Sequence, residues 1–321
     1  MNMKKIGLTA LAASLVSVSA ANAGSMTISG AASVGIGGYS SDTHNAGTSF
    51  TMGNQFTVSG GGELDNGLNV SLSYQLDNAA GVSGPFDDHS ITISSDEIGT
   101  IKFSGHGGSS ATSAMDATAA GDIWDGFDGA IGNGGVTGLG IGASGGTENS
   151  IYYTAPSLMD GLTLNASYNP QGTQAESEMG YGLTYTGVEG LTLKYATMDE
   201  NTGTTATSGD QTAWHIGYAL GPITVEMTNN DYDMGTATND KETSSYEISY
   251  TVSDELSVAY GTEEIDLGSS STDAEYSALV VTYTAGGMTL TGKMEEAENV
   301  NGTTNSSADF EYWFLGAAFA F

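Results

Sequence analysis

Apolar residues recur at every second position through most of this chain, and a period of two sustained that far commits it to β-structure. Leu162, Leu164, Ala166 and Tyr168 alternate with Thr163, Asn165 and Ser167. Ile223, Val225 and Met227 alternate with Thr224, Glu226 and Thr228, and Met288, Leu290 and Met294 with Thr289, Thr291 and Lys293. The runs are about eight to eleven residues long, and nothing beyond the first 23 residues keeps a helical period. Connections between the runs fall into two classes. Short ones lie at 63–66, 95–98, 157–160, 187–189, 220–222, 253–254 and 285–286. Longer, polar ones lie at 40–49, 77–88, 169–179, 198–210, 229–243, 263–273 and 295–307. The two classes alternate, as in an up-and-down barrel with tight turns at one rim and loops at the other. Sixteen strands satisfy the pattern, and an even number returns both ends of the sheet to the short-turn rim.

A water-soluble sandwich also alternates, so the makeup of the polar face matters. Here that face is almost wholly Ser, Thr, Asn, Gln and Gly. The apolar face needs no second sheet if it meets lipid. In hydrocarbon every backbone polar group must be paired internally, and a closed barrel does so without edges. Tyr74, Tyr168, Tyr185, Tyr195, Tyr218, Tyr250, Tyr260 and Tyr283 sit near strand ends, where an interfacial aromatic girdle belongs. The expected fold is therefore an all-β, transmembrane, antiparallel up-and-down β-barrel.

Charge narrows the partners. The formal net charge is −32, and there is no arginine and no cysteine. Lacking cysteine, the chain has neither disulfides nor thiolate metal sites. With Lys4 and Lys5 set aside, only Lys102, Lys194, Lys241 and Lys293 are basic, which excludes nucleic acid and points to cations as counterions or permeants. Sixteen tyrosines and nine phenylalanines argue against an acidic disordered chain. Lys4 and Lys5, the apolar run from Ile6 to Val18 and the small residues Ser19 to Ala23 read as a secretory leader. That divides the chain into a leader, 1–23, and a barrel, 24–321, and the apolar run is too short to span a bilayer as a helix.

The connection at 106–149 is far longer than any other, and a loop of that length inside a domain is usually functional. It carries Asp116, Asp122, Trp124, Asp125, Phe127 and Asp128 ahead of a Gly-rich stretch. Ile123, Trp124 and Phe127 are large enough to anchor it on a wall; a solvated surface loop is the alternative. By strand parity Lys102, Lys194, Lys293, His215 and Glu226 face the lumen.

At the end of the chain Trp313, Leu315, Ala317, Phe319 and Phe321 alternate, and Phe321 is last. This resembles the C-terminal insertion signal of bacterial outer-membrane proteins. Together with the strands Met26–Ile36 and Leu68–Leu76 and the segment Asp96–Phe103, it makes residues 24–321 similar in pattern to the Gram-negative porin family, in its alphaproteobacterial branch. The resemblance implies a sixteen-stranded barrel, usually a homotrimer, whose third long loop folds into the pore as a constriction. It also implies export through the periplasm and insertion by the barrel-assembly machinery. The expected surroundings are outer-membrane lipid and lipopolysaccharide, and the expected activity is passive diffusion of ions and small hydrophilic solutes. The chain departs from the family in one respect. Without arginine it cannot build the basic ladder that often faces the loop carboxylates, so acids are expected to dominate the eyelet and favour cations.

Other constellations are weaker. His44, His89, His106 and His215 show no metal-pair spacing along one element. Asp122, Asp125 and Asp128 offer oxygens to calcium, but no twelve-residue calcium loop is present, and diffuse divalent binding at acidic loops is the simpler expectation. No cofactor is required. Two readings besides the general channel stay open: a solute-selective pore using Trp124 or Tyr152, and a secreted, acidic, calcium-dependent β-rich surface protein. No Ser–His–Asp set gathers at one rim, so catalysis is not expected.

Overall fold

Each strand pairs antiparallel with the next in the chain, and the last pairs with the first. The computed structural model describes residues 16–18, 25–40, 45–77, 86–115, 118–127, 148–170, 177–201, 208–236, 240–268, 270, 272–302, 304 and 308–321. The barrel strands are β1 (Ser25–Ser40), β2 (Asn45–Glu63), β3 (Asn69–Asp77), β4 (Asp88–Ser95), β5 (Gly99–His106) and β6 (Ser150–Thr154). They continue as β7 (Leu162–Asn169), β8 (Glu178–Tyr185), β9 (Leu191–Glu200), β10 (Gly209–Leu220) and β11 (Ile223–Met234). The ring is completed by β12 (Lys241–Thr251), β13 (Leu256–Leu267), β14 (Ala274–Ala285), β15 (Met288–Glu298) and β16 (Phe310–Ala320). β16 runs along β1 from Ala31 to Ser40, and Gly30 and Phe321 exchange backbone hydrogen bonds of 2.8 and 3.0 Å that finish the seam. One further short strand, Val16–Val18, lies along Met26–Ile28. The only helical elements among the described residues are 3-10 turns at Ser113–Met115, Ile123–Phe127 and Val300–Gly302.

The short turns fall where expected. Gly221 (φ 59) and Gly286 (φ 61) open two-residue hairpins, whose primed geometry demands a positive φ that glycine adopts without strain. The long connections are corrected. Stretches read as loops at 40–49, 198–210, 229–243, 263–273 and 295–307 are partly strand, with β2 starting at Asn45, β11 running to Met234 and β15 to Glu298. Above the lipid zone both faces of a strand are polar, so the hydrogen-bond ladder continues where the hydrophobic alternation has ended.

The outward face is what a soluble protein would hide. Ile216, Val225, Ile248, Val281 and Leu315 all point out, and Met294 is 67% exposed. The inward face carries Gln211, His215, Glu226, Thr228, Asn230 and Glu263, all buried. Contiguous outward apolar area on this scale marks a surface that is not in water. Tyr185, Tyr218, Tyr250 and Tyr283 lie outward near the short turns, where amphipathic rings meet the membrane interface. Beyond the apolar band, toward the long loops, the outer wall becomes acidic. Asp231, Glu242 and Asp266 sit directly opposite one another on β11, β12 and β13, and Glu264, Glu275 and Glu298 do so on β13, β14 and β15. Asp199, Asp210 and Asp233 repeat the arrangement on β9, β10 and β11. Like charges directly opposite in a ladder are destabilising.

Two outcomes follow from this inside–outside division. Val281→Arg, at the centre of the outward band of β14, is expected to destabilise folding into vesicles by about 2–4 kcal/mol, whereas Thr282→Arg on the lumen face leaves it nearly unchanged. A urea titration monitored by tryptophan fluorescence reads both, and equal sensitivity at the two positions contradicts the assignment of faces. Raising ionic strength from ~0.01 to ~1 M, which shortens the screening length from about 30 to about 3 Å, is expected to raise the urea midpoint by screening the acidic collar. A midpoint indifferent to salt means that those carboxylates do not repel one another.

Candidate functional site

The interior is built around the connection between β5 and β6. Its described residues 107–115 and 118–127 do not stay at the rim but cross the inside of the barrel. Ala111 N donates to Ser167 Oγ on β7 (2.9 Å), and Thr112 Oγ1 donates to Gln211 Oε1 on β10 (2.9 Å). Lys194 Nζ donates to the carbonyl of Met115 (3.0 Å). Farther along, Ala119 N donates to Thr228 Oγ1 (3.0 Å), Ala120 N to Ser245 Oγ (2.9 Å) and Trp124 N to Glu263 Oε2 (3.1 Å). Tyr39 OH donates to the carbonyl of Gly126.

Four of these wall residues fall on a single line. Lys194, His215, Thr228, Ser245, Glu263, Tyr276, Ala297 and Phe310 are successive cross-strand partners from β9 to β16. Lys194, Thr228, Ser245 and Glu263 of this line bond the segment directly, and Tyr276, Ala297 and Phe310 pack against its far end. Along the first half of the line the support is polar, through hydroxyls and the Glu263 carboxylate. Backbone N–H groups taken out of water need such partners, and each bond contributes about 0.5–1.5 kcal/mol, more where the acceptor is charged. Along the second half the support is apolar. Phe127 is 0% exposed, with ring centroids 5.9 Å from Tyr276, 6.1 Å from Tyr39 and 6.5 Å from Tyr312. Ile123 joins the same cluster with Ile265, Ala278, Ala297 and Phe310. This accounts for the aromatic pair Phe310 and Tyr312 on the inward face of the last strand, which receives the segment. Phe314, also inward, lies flat over Gly35, where any Cβ would collide with its ring.

The residues singled out from sequence distribute unevenly. Ile123 and Phe127 are anchors, as expected, and Trp124 packs at the edge of their cluster. Asp122, with φ 56, closes its own turn: its Oδ1 accepts from Thr118 Oγ1 at 2.6 Å, and its N–H donates to the same oxygen at 2.7 Å. Asp116, Asp128 and the side chain of Asp125 lie outside the described residues, so the calcium set Asp122, Asp125 and Asp128 does too. Lys194, His215 and Glu226 come together: Lys194 and His215 are cross-strand neighbours, and His215 Nε2 stands 3.5 Å from Glu226 Oε1. Lys293 pairs instead with Glu295 Oε1 at 3.2 Å, and Lys102 stands apart on β5 between Thr92 and Tyr152. The lysines therefore form no ladder. Thr228, Ser245, Glu263 and Tyr276 were not foreseen. Parity places each of them inside, but their height in the barrel depends on strand register, which leaves no local mark in the sequence.

Trp313, Leu315, Phe319 and Phe321 project outward from the seam and are 41–61% exposed. Phe321 covers Gly30 of β1, where a Cβ would press against its ring.

Comparison with known proteins agrees with this architecture. A family model described as Gram-negative porin matches residues 7–283. An anion-selective porin from Comamonas acidovorans superposes with a TM-score of 0.66 at 15% identity, over 92% of this chain and 99% of that one. OmpT of Vibrio cholerae gives 0.65 at 15%, over 95% and 100%, and a double mutant of the Rh. blastica porin gives 0.63 at 14%, over 92% and 100%. No curated protein matches the sequence. With a closed barrel, an apolar outer band, a segment crossing the bore and a family model that spans most of its length, the chain belongs to the Gram-negative porins, the channel proteins of the outer membrane.

Proposed function

We propose that this porin is a general diffusion channel for ions and small hydrophilic solutes, that it prefers cations, and that the docked 107–127 segment sets its width. The observation that carries the preference is the sign of the inward charge. Asp77, Asp88, Glu178, Glu200, Glu226, Glu247, Glu263 and Glu295 occupy lumen-side positions, against Lys102, Lys194, Lys241 and Lys293. Asp116, Asp122, Asp125 and Asp128 add to that excess in sequence. Two unit charges ~4 Å apart interact by about 1 kcal/mol in bulk water and about 4 kcal/mol near a protein surface, so a narrow acidic bore concentrates cations and repels anions. The anion selectivity in the Comamonas protein's description belongs to that protein, and at 15% identity the likeness carries the fold alone. No reaction is asked of any residue.

The same reading covers assembly. The leader, 1–23, is removed on export, and Trp313, Leu315, Phe319 and Phe321 present the insertion signal to the assembly machinery. The outward face of β1 around Ala32, beside β16 and with Phe321 lying over Gly30, forms part of a homotrimer contact within outer-membrane lipid and lipopolysaccharide. Calcium or other divalent ions gather diffusely at the acidic collar.

In planar bilayers under a KCl gradient, the reversal potential is expected to carry the sign of cation preference; an anion-selective reversal overturns the charge argument. Phe127→Ala removes the largest anchor, a change that costs about 3–5 kcal/mol at a packed site. Because Phe127 lies outside the ladder, the loss is expected to appear as a larger, noisier single-channel conductance with the heat-dependent gel shift of the barrel unchanged. Conductance identical to wild type means that the segment does not limit flow.

A further inference from the structure

We infer that Asp87, Asp88 and His106 form a binding site for a divalent transition-metal ion at the loop-side mouth of the channel, with Glu148 orienting the imidazole. One ligand atom from each of the three lies within 4.8 Å of the others. Asp88 opens β4 and His106 ends β5, both on the lumen side. A bulge between His89 and Ser90 shifts the ladder there so that His89 faces His106. The next residue, Gly107, has φ 67, and a Cβ on it would collide with the Asp88 carboxylate. His106 Nδ1 stands 3.4 Å from Asp88 Oδ1, and Nε2 stands 3.7 Å from Glu148 Oε1.

The 3.4 Å between Nδ1 and Oδ1 is a long hydrogen bond and also a separation that two ligands of one ion adopt. A charge-assisted N–H···O bond closes to about 2.7–2.9 Å. Two ligands bound at ~2.0–2.1 Å to a tetrahedral ion stand about 3.4 Å apart, the separation between Nδ1 and Oδ1. A carboxylate facing the other ring nitrogen is the usual outer partner of a metal-bound histidine, fixing its tautomer and orientation. The carboxylates are also crowded, since Asp87 and Asp88 are adjacent, like-charged and in the same cluster. A divalent cation relieves that repulsion. An imidazole beside two carboxylates selects zinc, nickel, cobalt or copper over calcium or magnesium, which prefer oxygen alone. The side chains of His106 and Asp88 are 34% and 41% exposed, so an ion reaches them from solvent.

The location gives the site a consequence. His106 is the root of the long connection and Glu148 lies at its return, where Asn149 N donates to the carbonyl of Gly105 at 3.2 Å. A metal at His106 therefore ties β4 to the root of the connection, beside its return at Glu148.

The test is calorimetric titration of the detergent-purified full barrel with Zn²⁺, in wild type, His106→Ala, Asp88→Asn and the control His89→Ala. One saturable site per chain is expected, weakened at least about tenfold by the first two substitutions and unchanged by the third, with excess Ca²⁺ failing to displace zinc. Cu²⁺ electron paramagnetic resonance on the wild type alone should show coupling to one imidazole nitrogen, a readout that does not depend on any variant folding. Undiminished zinc binding in His106→Ala, displacement by Ca²⁺, or a copper spectrum without nitrogen coupling overturns the site.

Discussion

Backbone hydrogen bonding in a medium without water is the constraint on which the rest of this structure depends. Hydrocarbon offers no partner to an exposed N–H or C=O, so a strand at the membrane core must be paired on both sides. A sheet achieves that only by closing, and here closure is made between β1 and β16 and completed by the exchange of bonds between Gly30 and Phe321. Once the ring is shut, side-chain alternation does the remaining sorting. Odd and even residues meet different solvents, and the familiar rule of apolar inside and polar outside is inverted. The interior is then free to be hydrated, charged and crossed by an irregular segment, because none of those groups touches lipid.

That irregular segment raises the same problem at smaller scale. Residues 107–115 and 118–127 carry backbone donors into the barrel without strand partners of their own. The wall answers with side chains: Ser167, Thr228 and Ser245 accept from Ala111, Ala119 and Ala120, and Glu263 accepts from Trp124. The alanines matter as much as the hydroxyls, since small side chains let the backbone come within hydrogen-bond reach. Gly261 follows the same logic from the wall side, because a Cβ there would strike Ala120. Past Glu263 the support changes from hydrogen bonds to buried rings, and the segment ends its described course with Phe127 enclosed by Tyr39, Tyr276 and Tyr312.

What could be read from sequence divides along physical lines. Strand number, the order of short and long connections, and the facing of Lys102, Lys194, Lys293, His215 and Glu226 all rest on period and parity, which are local properties. The strand number and the order of connections agree with the structure. Strand length above the membrane was misjudged because the alternation stops at the lipid boundary while the ladder does not. The line from Lys194 to Phe310 was invisible for a different reason. Its members are separated by turns and loops of unequal length, and only the register between strands aligns them. The proximity of His106 to Asp87 and Asp88 has the same origin, since it depends on how β4 pairs with β5 and on no spacing along the chain.

The charge of the interior also bears on how the loop is held. A neutral residue at 263 would satisfy the N–H of Trp124 with less desolvation cost, yet a carboxylate stands there, 2% exposed and opposite Tyr276 and Ser245. Glu295, 3% exposed, lies two strands away, beside Gly126, with Lys293 as its counterion. Removing carboxylates from water is expensive, and breaking one from its partner is more so. Of the two beneath the crossing segment, Glu263 is held by the Trp124 N–H and Glu295 by Lys293, and those contacts offset the cost of keeping the carboxylates from water. The acids that set the sign of the bore's field are in part the groups that keep its crossing segment in place.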